Sequence, residues 1–558
     1  METFAQIVAS RSGDPAVGLR FEDREWSWDE VVREGAARAA LLTALVPEAP
    51  TGRQRHVGLL LENVPDHVFW IAGAALAGAV TVGLNSSRSG AELARDLQHA
   101  DVDVLVTEER LARLLAGADH GLPAGRVLDV DAPAYAAALV PHRGAPVPGP
   151  DALPPADAVA MLLFSSGSTG APKAVVVGQG RLGRLAEALV GRVRLRRESV
   201  TYLCMPLFHG NAVMLNLATA MRVGATVAMV RRFSAGSFSA DVHRHGVTFV
   251  NYVGRALSYV LSRPEDPRDR TSTLELAFGT EASAVDVARF AERFGCEVVE
   301  GYGMSEGVFR VARTPGTPPG ALGVPAGDAD VRVLDEATGQ ECPPAVLDEA
   351  GRLLNPEAVG QMVAIGGAAA FEGYWRNPEA TADRVRGADF WSGDLAYRDA
   401  DGFLWFAGRT SDWLRVDGEN VGTAPVERVL ARAPGVLAAV VHAVPDPVTG
   451  DQVMCALEMT PGNPFDAEAF GAFLTAQPDL GAKEWPRFVR VTAAVPLTAS
   501  GKVDKAPLRA AGWLTDDPVW VRVGRTASYE PLGGAGRQAL AEDFAAHGRS
   551  ALLPAPQR

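Results

Sequence analysis

Short apolar runs alternate with amphipathic stretches along most of the first 400 residues. The run HVGLLLEN at 56–63 is followed by a helical pattern at 66–79, and then by a second apolar run, VTVGLN, at 80–85. Short runs of apolar residues are typical of strands, whereas apolar residues three and four positions apart are typical of helices. Strands that alternate with helices predict parallel sheets with helices on both faces. We therefore predict an α/β fold for this part of the chain.

The pattern changes after Arg409. From Ser411 onward the segments become shorter, and runs such as VLAAVVHAVPD and QVMCALEMT indicate a small α+β unit of about 100 residues. We predict three parts on this basis. They are a large N-terminal domain at 1–409, made of β/α subdomains with parallel sheets, a small α+β C-terminal domain at 410–515, and a polar C-terminal tail at 516–558.

Composition narrows the class of protein. The 558 residues carry a formal net charge of −14, which repels nucleic acid and anionic lipid surfaces. The longest apolar run, Val68–Leu84, is interrupted by Thr81, and we interpret it as a buried helix followed by a buried strand rather than a membrane span. The start of the chain has no signal-peptide pattern, and the four cysteines form no CxxC pair. These features predict a cytoplasmic protein.

Two glycine patterns suggest chemistry that their surroundings do not support. Residues 178–183 match the GxGxxG pattern of dinucleotide-binding loops, but no acidic residue ends a second strand about 20 positions later. Residues 303–307 match the GxSxG pattern of serine hydrolases, but the sequence RVARTPGTPPG that follows cannot form the required helix. We expect neither a dinucleotide site nor a catalytic serine at these positions.

A third pattern, FSSGSTGAPK at 164–173, suits a phosphate group better. Its serine and threonine residues supply hydroxyls, while Gly167 and Gly170 allow positive φ and let backbone N–H groups point into one concavity. Lys173 adds a positive charge at the end of the loop. The sequence therefore predicts a phosphate-binding loop, of a type different from the Walker loop because no GK[ST] step is present.

This loop resembles the phosphate loop of the acyl-adenylate-forming superfamily, which includes acyl-CoA synthetases, peptide-synthetase adenylation domains and luciferases. Further superfamily motifs follow in the same order: MPLFHG at 205–210, EGYGMSE at 300–306, WSGD at 391–394, GRTSDWLRVDGEN at 408–420 and PLTASGK at 496–502. The fourth motif looks most like the very-long-chain acyl-CoA synthetase branch. The resemblance implies that the C-terminal domain is a mobile lid on the large N-terminal domain.

The resemblance also implies a role for each motif residue in the use of ATP. The residues expected to bind the nucleotide are Ser165, Ser166, Gly167, Ser168, Thr169, Gly170, Lys173, Glu300, Gly301, Tyr302, Ser305, Asp394 and Arg409. Thr169 and Glu306 are expected to hold Mg²⁺, which prefers carboxylate and phosphate oxygens. Lys502 is expected to neutralise charge on the acyl carboxylate and the α-phosphate, and His209 to close over the carboxylate end of the pocket. Lys502, His209 and Glu306 are thus the expected catalytic residues.

The resemblance also implies a pocket for the acid and a path for the acceptor. The residues expected to line the acid pocket are Asn251, Gly279, Thr280, Glu281, Phe309 and Arg310. Charged groups such as Glu281 and Arg310 are costly in a fatty-acyl tunnel, so they favour a polar or aromatic acid. The residues expected at the lid hinge and the acceptor path, with CoA as the preferred acceptor, are Ser411, Arg415, Gly418 and Glu419.

The sequence leaves three functions open. The preferred one is an AMP-forming acid ligase that makes an acyl-adenylate from ATP and transfers the acyl group to CoA. The alternative is an adenylating enzyme with another acceptor, including a diazotase that activates nitrite for reaction with an aromatic amine. A degenerate fold that only senses nucleotide is disfavoured, because Lys502 and Glu306 are both present.

Overall fold

The structure is a computed structural model that describes residues 2–48, 50–165, 173–348, 353–409, 413–416, 419–448, 450–498, 501–524 and 526–554. For Ser165, Arg409, Trp413, Arg415, Glu419 and Asn420 it describes the backbone alone. Two compact units are present. The first contains Met1–Ala282, Asp286–Val308 and Ala369–Asp383, and the second contains Ser283–Val285, Phe309–Ala368 and Arg384–Arg558. Residues 309–368 and 384–409 thus group with the later part of the chain, and the sequence boundary at Arg409 stays a prediction.

The strands of the first unit form two sheets. Their bounds are β1 Val17–Phe21, β2 Arg24–Ser27, β3 His56–Leu60, β4 Val80–Gly83, β5 Val104–Thr107, β6 Val127–Asp129, β7 Val159–Ser165, β8 Lys173–Gly178, β9 Val200–Leu203, β10 Thr226–Met229, β11 Phe249–Val253, β12 Leu276–Thr280 and β13 Glu297–Glu300. One sheet has the order β13-β12-β11-β9-β10-β1-β2, and the other has the order β6-β5-β3-β4-β7-β8. All pairs are parallel except β1 with β2 and β7 with β8, so the α/β prediction is confirmed.

Helices connect these strands. Their bounds are α1 Phe4–Ala9, α2 Trp28–Leu45, α3 Pro65–Leu76, α4 Gly90–His99, α5 Glu109–Ala112, α6 Pro133–Leu139, α7 Gln179–Val193, α8 Ala218–Val223, α9 Phe238–His245, α10 Ala256–Leu261, α11 Ala284–Phe294 and α12 Pro378–Ala382. Reciprocal capping boxes, such as Ser27 with Glu30 and Ser89 with Glu92, begin α2 and α4 by satisfying N–H groups that have no partner inside the helix. The apolar run Val68–Leu84 forms most of α3 and all of β4, as expected.

The second unit contains the remaining strands and helices. Their bounds are β14 Val311–Ala312, β15 Val324–Pro325, β16 Val331–Leu334, β17 Gly360–Ala364, β18 Val385–Arg386, β19 Asp389–Arg398, β20 Leu404–Arg409, β21 Trp413–Val416, β22 Glu419–Gly422, α13 Thr423–Leu430, β23 Val436–Pro445, β24 Asp451–Met459, α14 Ala467–Thr475, β25 Phe488–Thr492, α15 Ala506–Ala511, β26 Val519–Arg522, β27 Tyr529–Pro531 and α16 Gly534–Ala546. One sheet has the order β16-β17-β19-β18 with β20 on β19, and another the order β23-β24-β25-β26-β27.

The last 43 residues are not a separate tail over their whole length. Strands β26 and β27 extend the sheet beyond β25 through antiparallel pairing. Phe544 on α16 is fully buried beside Trp513, with a distance of 5.8 Å between the ring centroids. Sparse apolar residues set this segment apart in the sequence, but backbone pairing and these two rings join it to the core of the C-terminal sheet.

His442 lies in the interior of the same sheet. Its ring is fully buried on β23, and Nδ1 is 3.1 Å from the carbonyl oxygen of Ala443. Burial lowers the pKa of His442 to about 3, and the nearby charges of Lys505 and Arg509 act in the same direction. The ring is therefore neutral in the folded protein at neutral pH.

This burial predicts a loss of stability in mild acid. Below pH 6.5 the unfolded chain binds a proton at His442 that the folded chain does not bind until about pH 3, so unfolding becomes easier as the pH falls through this window. We expect His442→Leu to reduce the loss of unfolding free energy between pH 6.5 and pH 5 by about 1.5 kcal/mol. Urea unfolding at pH 6.5 and at pH 5 measures this loss of unfolding free energy for the wild type and the variant. The exposed His547→Leu is the control, and an equal effect in both variants would contradict the argument.

Candidate active site

The carboxyl ends of β9, β11, β12 and β13 meet at one edge of the first sheet. The connection that leaves β9 leads to β10 on one side, whereas β11 leads to β12 on the other side. Ligands of open α/β sheets bind where such connections diverge. Tyr252, Gly279 and Glu300 are neighbours in register across the last three strands. The structure thus brings several residues of the expected acid pocket and nucleotide site to this edge.

Glu300 ties the ends of these strands together. Its carboxylate accepts a short hydrogen bond from the hydroxyl of Tyr252, and Oε2 accepts another from the backbone N–H of Ala282 at 3.1 Å. Gly279 is required beneath the Tyr252 ring, because a Cβ there would lie 2.5 Å from ring atoms. In this structure Glu300 and Gly279 therefore shape the edge, in addition to any contact that Glu300 makes with nucleotide.

The loop that carries His209 is held by asparagine side chains. Asn63 donates from Nδ2 to the carbonyl of Met205 at 3.0 Å, and its Oδ1 accepts from the N–H of Leu207 at 3.0 Å. His209 is half-buried next to Phe208, with a distance of 4.9 Å between ring centroids. Asn63 had not been singled out from the sequence, since it lies 142 residues from the loop it holds.

A buried polar network then connects this loop to the acid-pocket strand. A π-helical segment, Asn211–Leu217, follows the loop directly, and such segments are frequent at functional sites. Asn251 on β11 donates to Oδ1 of Asn211 at 2.5 Å and accepts from Nδ2 of Asn216 at 2.7 Å. Because Asn216 and Asn251 are fully buried, these bonds fix the position of the loop relative to the sheet edge.

The predicted phosphate loop falls largely outside the described residues. Ser166, Gly167, Ser168, Thr169 and Gly170 all lie there. The strands on either side are described, and Ser165 at the end of β7 pairs with Lys173 at the start of β8 in an antiparallel hairpin. The hairpin fixes where the loop leaves and re-enters the sheet.

Arg181 connects the two glycine patterns, GxGxxG at 178–183 and GxSxG at 303–307, by a hydrogen bond. It lies in the GxGxxG pattern, is 4% exposed, and donates to the carbonyl of Ser305 in the GxSxG pattern at 2.5 Å. Gly307 has a φ of +65°, and a Cβ there would lie 2.5 Å from the Arg181 guanidinium. Burial lowers the pKa of Arg181, against the carboxylates of Glu372 and Glu306. Gly307 of the GxSxG pattern thus makes room for a contact with Arg181 of the GxGxxG pattern.

A carboxylate occupies the start of α7, where a dinucleotide phosphate would have to bind. Oε2 of Glu372 accepts the N–H of Gly178 at 2.7 Å and lies 3.5 Å from Nη1 of Arg181. A Cβ on Gly178 would lie 2.5 Å from Oε1 of Glu372, so glycine is needed for this approach. An anion is favourable at a helix N-terminus, and here the carboxylate of Glu372 is that anion.

Glu306 follows Ser305 and is only 9% exposed. Its Oε1 accepts a hydrogen bond of 2.6 Å from the hydroxyl of Tyr374. Within the described part of the chain, Oε2 of Glu306 accepts no hydrogen bond. Gly301, on the same segment, donates its N–H to the carbonyl of Gly279 at 2.7 Å and leads into Tyr302, which is half-buried.

Asp394 stands at an irregularity of β19 in the second unit. Gly393 has a φ of +76° and donates its N–H to Oε1 of Gln361 at 3.0 Å, while Ser392 Oγ accepts the Asp394 N–H at 3.0 Å. Asp394 is buried and lies opposite Arg409 in the β19 and β20 pair. The β19 and β20 pairing therefore places the backbones of two residues of the expected nucleotide site opposite each other.

Lys502, also in the second unit, is hydrogen-bonded to Thr498. The Lys502 carbonyl accepts the N–H of Thr498 at 2.7 Å, and its own N–H donates to Oγ1 of Thr498 at 3.2 Å. Arg415 and Glu419 lie on the strands of the β21 and β22 hairpin, whereas Ser411 and Gly418 lie outside the described residues.

Both charged members of the expected acid pocket are exposed. Arg310 is 61% exposed and pairs with the exposed Asp328 at 2.7 Å. Glu281 is also exposed and has a φ of +73°. Phe309, by contrast, is buried and packs edge-on against Phe390, with 5.9 Å between ring centroids. An exposed, ion-paired arginine gives no support to the preference for a polar acid.

Comparison with known proteins settles the family. Residues 4–375 match the family model of AMP-binding enzymes, and residues 425–502 match that of the AMP-binding enzyme C-terminal domain. The chain belongs to the AMP-binding enzyme family. The resemblance derived from the motifs is therefore confirmed.

Similar proteins place this AMP-binding enzyme among the acid ligases. A steroid-22-oyl-CoA synthetase from Rhodococcus jostii (strain RHA1) is 48% identical over 555 residues, which cover 99% of each chain. A medium/long-chain-fatty-acid–CoA ligase, FadD17, from Mycobacterium marinum is 44% identical over 90% of this chain and 95% of its own. The interpretation as an AMP-forming acid ligase of the acyl-CoA synthetase branch is confirmed, and the diazotase alternative is not supported.

Solved structures agree on the fold. An anthranilate CoA ligase, AuaEII, in complex with anthranoyl-AMP superposes with a TM-score of 0.79 at 22% identity, covering 92% of this chain and 97% of its own. No helix among the described residues has both the length and the apolar character needed to cross a membrane.

The contacts of Arg181 predict that it stabilises this AMP-binding enzyme. Arg181→Met would remove the donor to the Ser305 carbonyl and the positive charge that pairs with Glu372, so we expect the free energy of unfolding to fall by about 2–4 kcal/mol. The matched control is Arg184→Met, an exposed position on the same helix, where we expect a change within about 0.5 kcal/mol. Urea unfolding compares the two, and equal effects would contradict a structural role for Arg181.

Proposed function

We propose that the protein activates a carboxylic acid with a bulky apolar body, of the steroid-22-oic acid class, and converts it to its CoA thioester. The acid carboxylate attacks the α-phosphorus of ATP to form the acyl-adenylate and release pyrophosphate. The thiol of CoA then attacks the acyl carbon, and AMP leaves. The observation that carries the proposal is the 48% identity to a steroid-22-oyl-CoA synthetase over 99% of both chains.

The described residues support a division of labour in the adenylation step. Asp394 is a buried carboxylate, and an ionised carboxylate accepts hydrogen bonds from both ribose hydroxyls. The β7 and β8 hairpin presents the phosphate loop, with Lys173 at its end. Lys502 supplies a positive charge to the acyl carboxylate and α-phosphate as negative charge develops there. His209 closes the carboxylate end of the pocket, on a loop held by Asn63.

The donor set of the site fits Mg²⁺ shared with the nucleotide. Among the described residues, no cluster of three or more His, Cys, Asp or Glu side chains could enclose a metal ion. Mg²⁺ is commonly held by one or two carboxylates together with substrate phosphates. This matches Glu306, whose Oε2 accepts no hydrogen bond from any residue that the structure describes. Glu306 and Thr169 would hold the ion. When bound, it would neutralise charge on the phosphate oxygens.

The second half-reaction needs different groups at the same adenylate. We assign it to the 410–515 domain acting as a lid, with Ser411 near the hinge and Arg415, Gly418 and Glu419 along the path of CoA. Hinge motion of a small domain lets one site serve two steps without rebuilding its core.

The free thiols of Cys204, Cys296, Cys342 and Cys455 support a location in a reducing cytoplasm.

A panel of acids tests the proposed reaction and substrate. We expect CoA-ester formation with release of AMP and pyrophosphate, and a kcat/KM at least about tenfold higher for a steroid-22-oate than for unbranched medium-chain, long-chain or aromatic acids. Thioester appearance and pyrophosphate release are measured with each acid. Best activity on unbranched fatty acids would contradict the steroid class, whereas formation of ADP with any acid would contradict the reaction itself.

Lys502 is predicted to act in adenylation alone. Lys502→Ala should slow acyl-adenylate formation by about 10²–10⁴, the loss typical when a charge-stabilising donor is removed. Thioester formation from preformed acyl-adenylate and CoA should change by less than about tenfold, because the transfer of the adenylyl group to the acid is already complete. Equal losses in both half-reactions would show that Lys502 supports the fold instead.

A further inference from the structure

Tyr374 contacts the carboxylate that the proposed function assigns to Mg²⁺. Its side chain is 5% exposed, and its hydroxyl donates to Oε1 of Glu306 at 2.6 Å, across 68 residues of sequence. Tyr374 belongs to none of the motifs that the sequence analysis singled out. Within the described part of the chain, this is the one hydrogen bond that the Glu306 carboxylate accepts.

The backbone around Tyr374 is fixed to the strand that leaves the phosphate loop. Gly373 accepts the N–H of Val176 at 3.1 Å, and Trp375 donates its N–H to the carbonyl of Ala174 at 2.8 Å, so residues 373–375 add an edge to β8. Oγ1 of Thr381 accepts the N–H of Tyr374 at 3.0 Å. Tyr374 is thus placed relative to strand β8 by main-chain hydrogen bonds.

Two neighbouring contacts fix the orientation of the ring and of the partner segment. Phe371 packs edge-on against the Tyr374 ring, with 5.1 Å between centroids. On the other side, Arg181 holds the carbonyl of Ser305, the residue before Glu306. Both ends of the bond between Tyr374 and Glu306 are therefore anchored, and the side-chain torsions of Glu306 have little freedom left.

We propose that Tyr374 is a positioning residue for the metal carboxylate: by holding Oε1, it turns Oε2 of Glu306 toward the cation. The inference rests on the metal role of Glu306 in the proposed function. A phenol donates one hydrogen bond and adds no charge, so it orients the carboxylate and leaves its negative charge for Mg²⁺. A buried carboxylate is costly unless it is paired. Arg181 provides one nearby positive charge, and the cation would add a second.

A metal-binding measurement tests the proposal without turnover. The protein is bound to α,β-methylene-ATP, and Mn²⁺ binding is followed by electron paramagnetic resonance of the free ion. Tyr374→Phe removes one oxygen atom and keeps the ring, and we expect it to weaken Mn²⁺ binding by about tenfold or more, the scale seen when a partner of a ligating side chain is lost. A change below about threefold would overturn the proposal.

The matched control is Tyr529→Phe. Tyr529 is a buried tyrosine of the C-terminal sheet whose hydroxyl donates to the carbonyl of Pro486 at 2.7 Å, so the same atom and one buried hydrogen bond are lost far along the chain. Mn²⁺ affinity should stay at the wild-type value in this variant. Equal weakening in Tyr529→Phe and Tyr374→Phe would overturn the proposal, since a general loss of stability would then explain both.

Glu306→Gln separates this inference from the proposed function. If Glu306→Gln weakens Mn²⁺ binding and Tyr374→Phe does not, the positioning role alone is wrong. If Glu306→Gln leaves binding unchanged, the metal role of Glu306 is wrong, and the inference is overturned with it.

In steady-state assays Tyr374→Phe should raise the Mg²⁺ concentration for half-maximal rate by about tenfold, with kcat at saturating Mg²⁺ within about threefold of wild type. A fall in kcat alone would contradict the proposal.

Discussion

The buried guanidinium of Arg181 is the interaction on which the site of the first unit depends. It donates to the carbonyls of Ser305 and Val176 and lies beside the carboxylate of Glu372. Ser305 precedes the proposed metal carboxylate Glu306, and Val176 lies on the strand that leaves the phosphate loop. A planar fork with five donors can hold several acceptors in fixed directions, so one side chain connects the Ser305 segment to strand β8, which is distant from it in sequence.

Glycines let the side chains of Arg181 and Glu372 lie close to the backbone. This close approach explains why the glycines form patterns that resemble dinucleotide-binding loops and serine-hydrolase turns. Side chains at Gly178 and Gly307 would collide with Glu372 and with Arg181, respectively. The same spacing in a dinucleotide-binding loop lets the backbone approach a pyrophosphate. Here the close neighbour is a carboxylate or a guanidinium of the chain itself. A glycine pattern therefore indicates close approach, and the residues around it decide what approaches.

The sequence predicts the α/β fold, the order of the motifs and the family, because these depend on local periodicity and on residues close together in the chain. The contacts that shape the site are harder to predict. Tyr374 meets Glu306 across 68 residues, and Arg181 meets Ser305 across 124. No periodicity marks such pairs, since each belongs to its own local element. Strand β26 had been assigned to a tail for a similar reason: its pairing with β25, and not its composition, makes it part of the sheet.

The central claim is that protein contacts orient Glu306 so that one of its oxygens is held and the other binds the metal shared with ATP. A crystal structure of the wild-type protein with Mn²⁺ and α,β-methylene-ATP, with the metal located by its anomalous scattering, tests this most directly. We expect Mn²⁺ on Oε2 of Glu306, with the hydroxyl of Tyr374 still hydrogen-bonded to Oε1. A metal bound by the phosphates without Glu306, or a Glu306 side chain turned away from Tyr374, would contradict it.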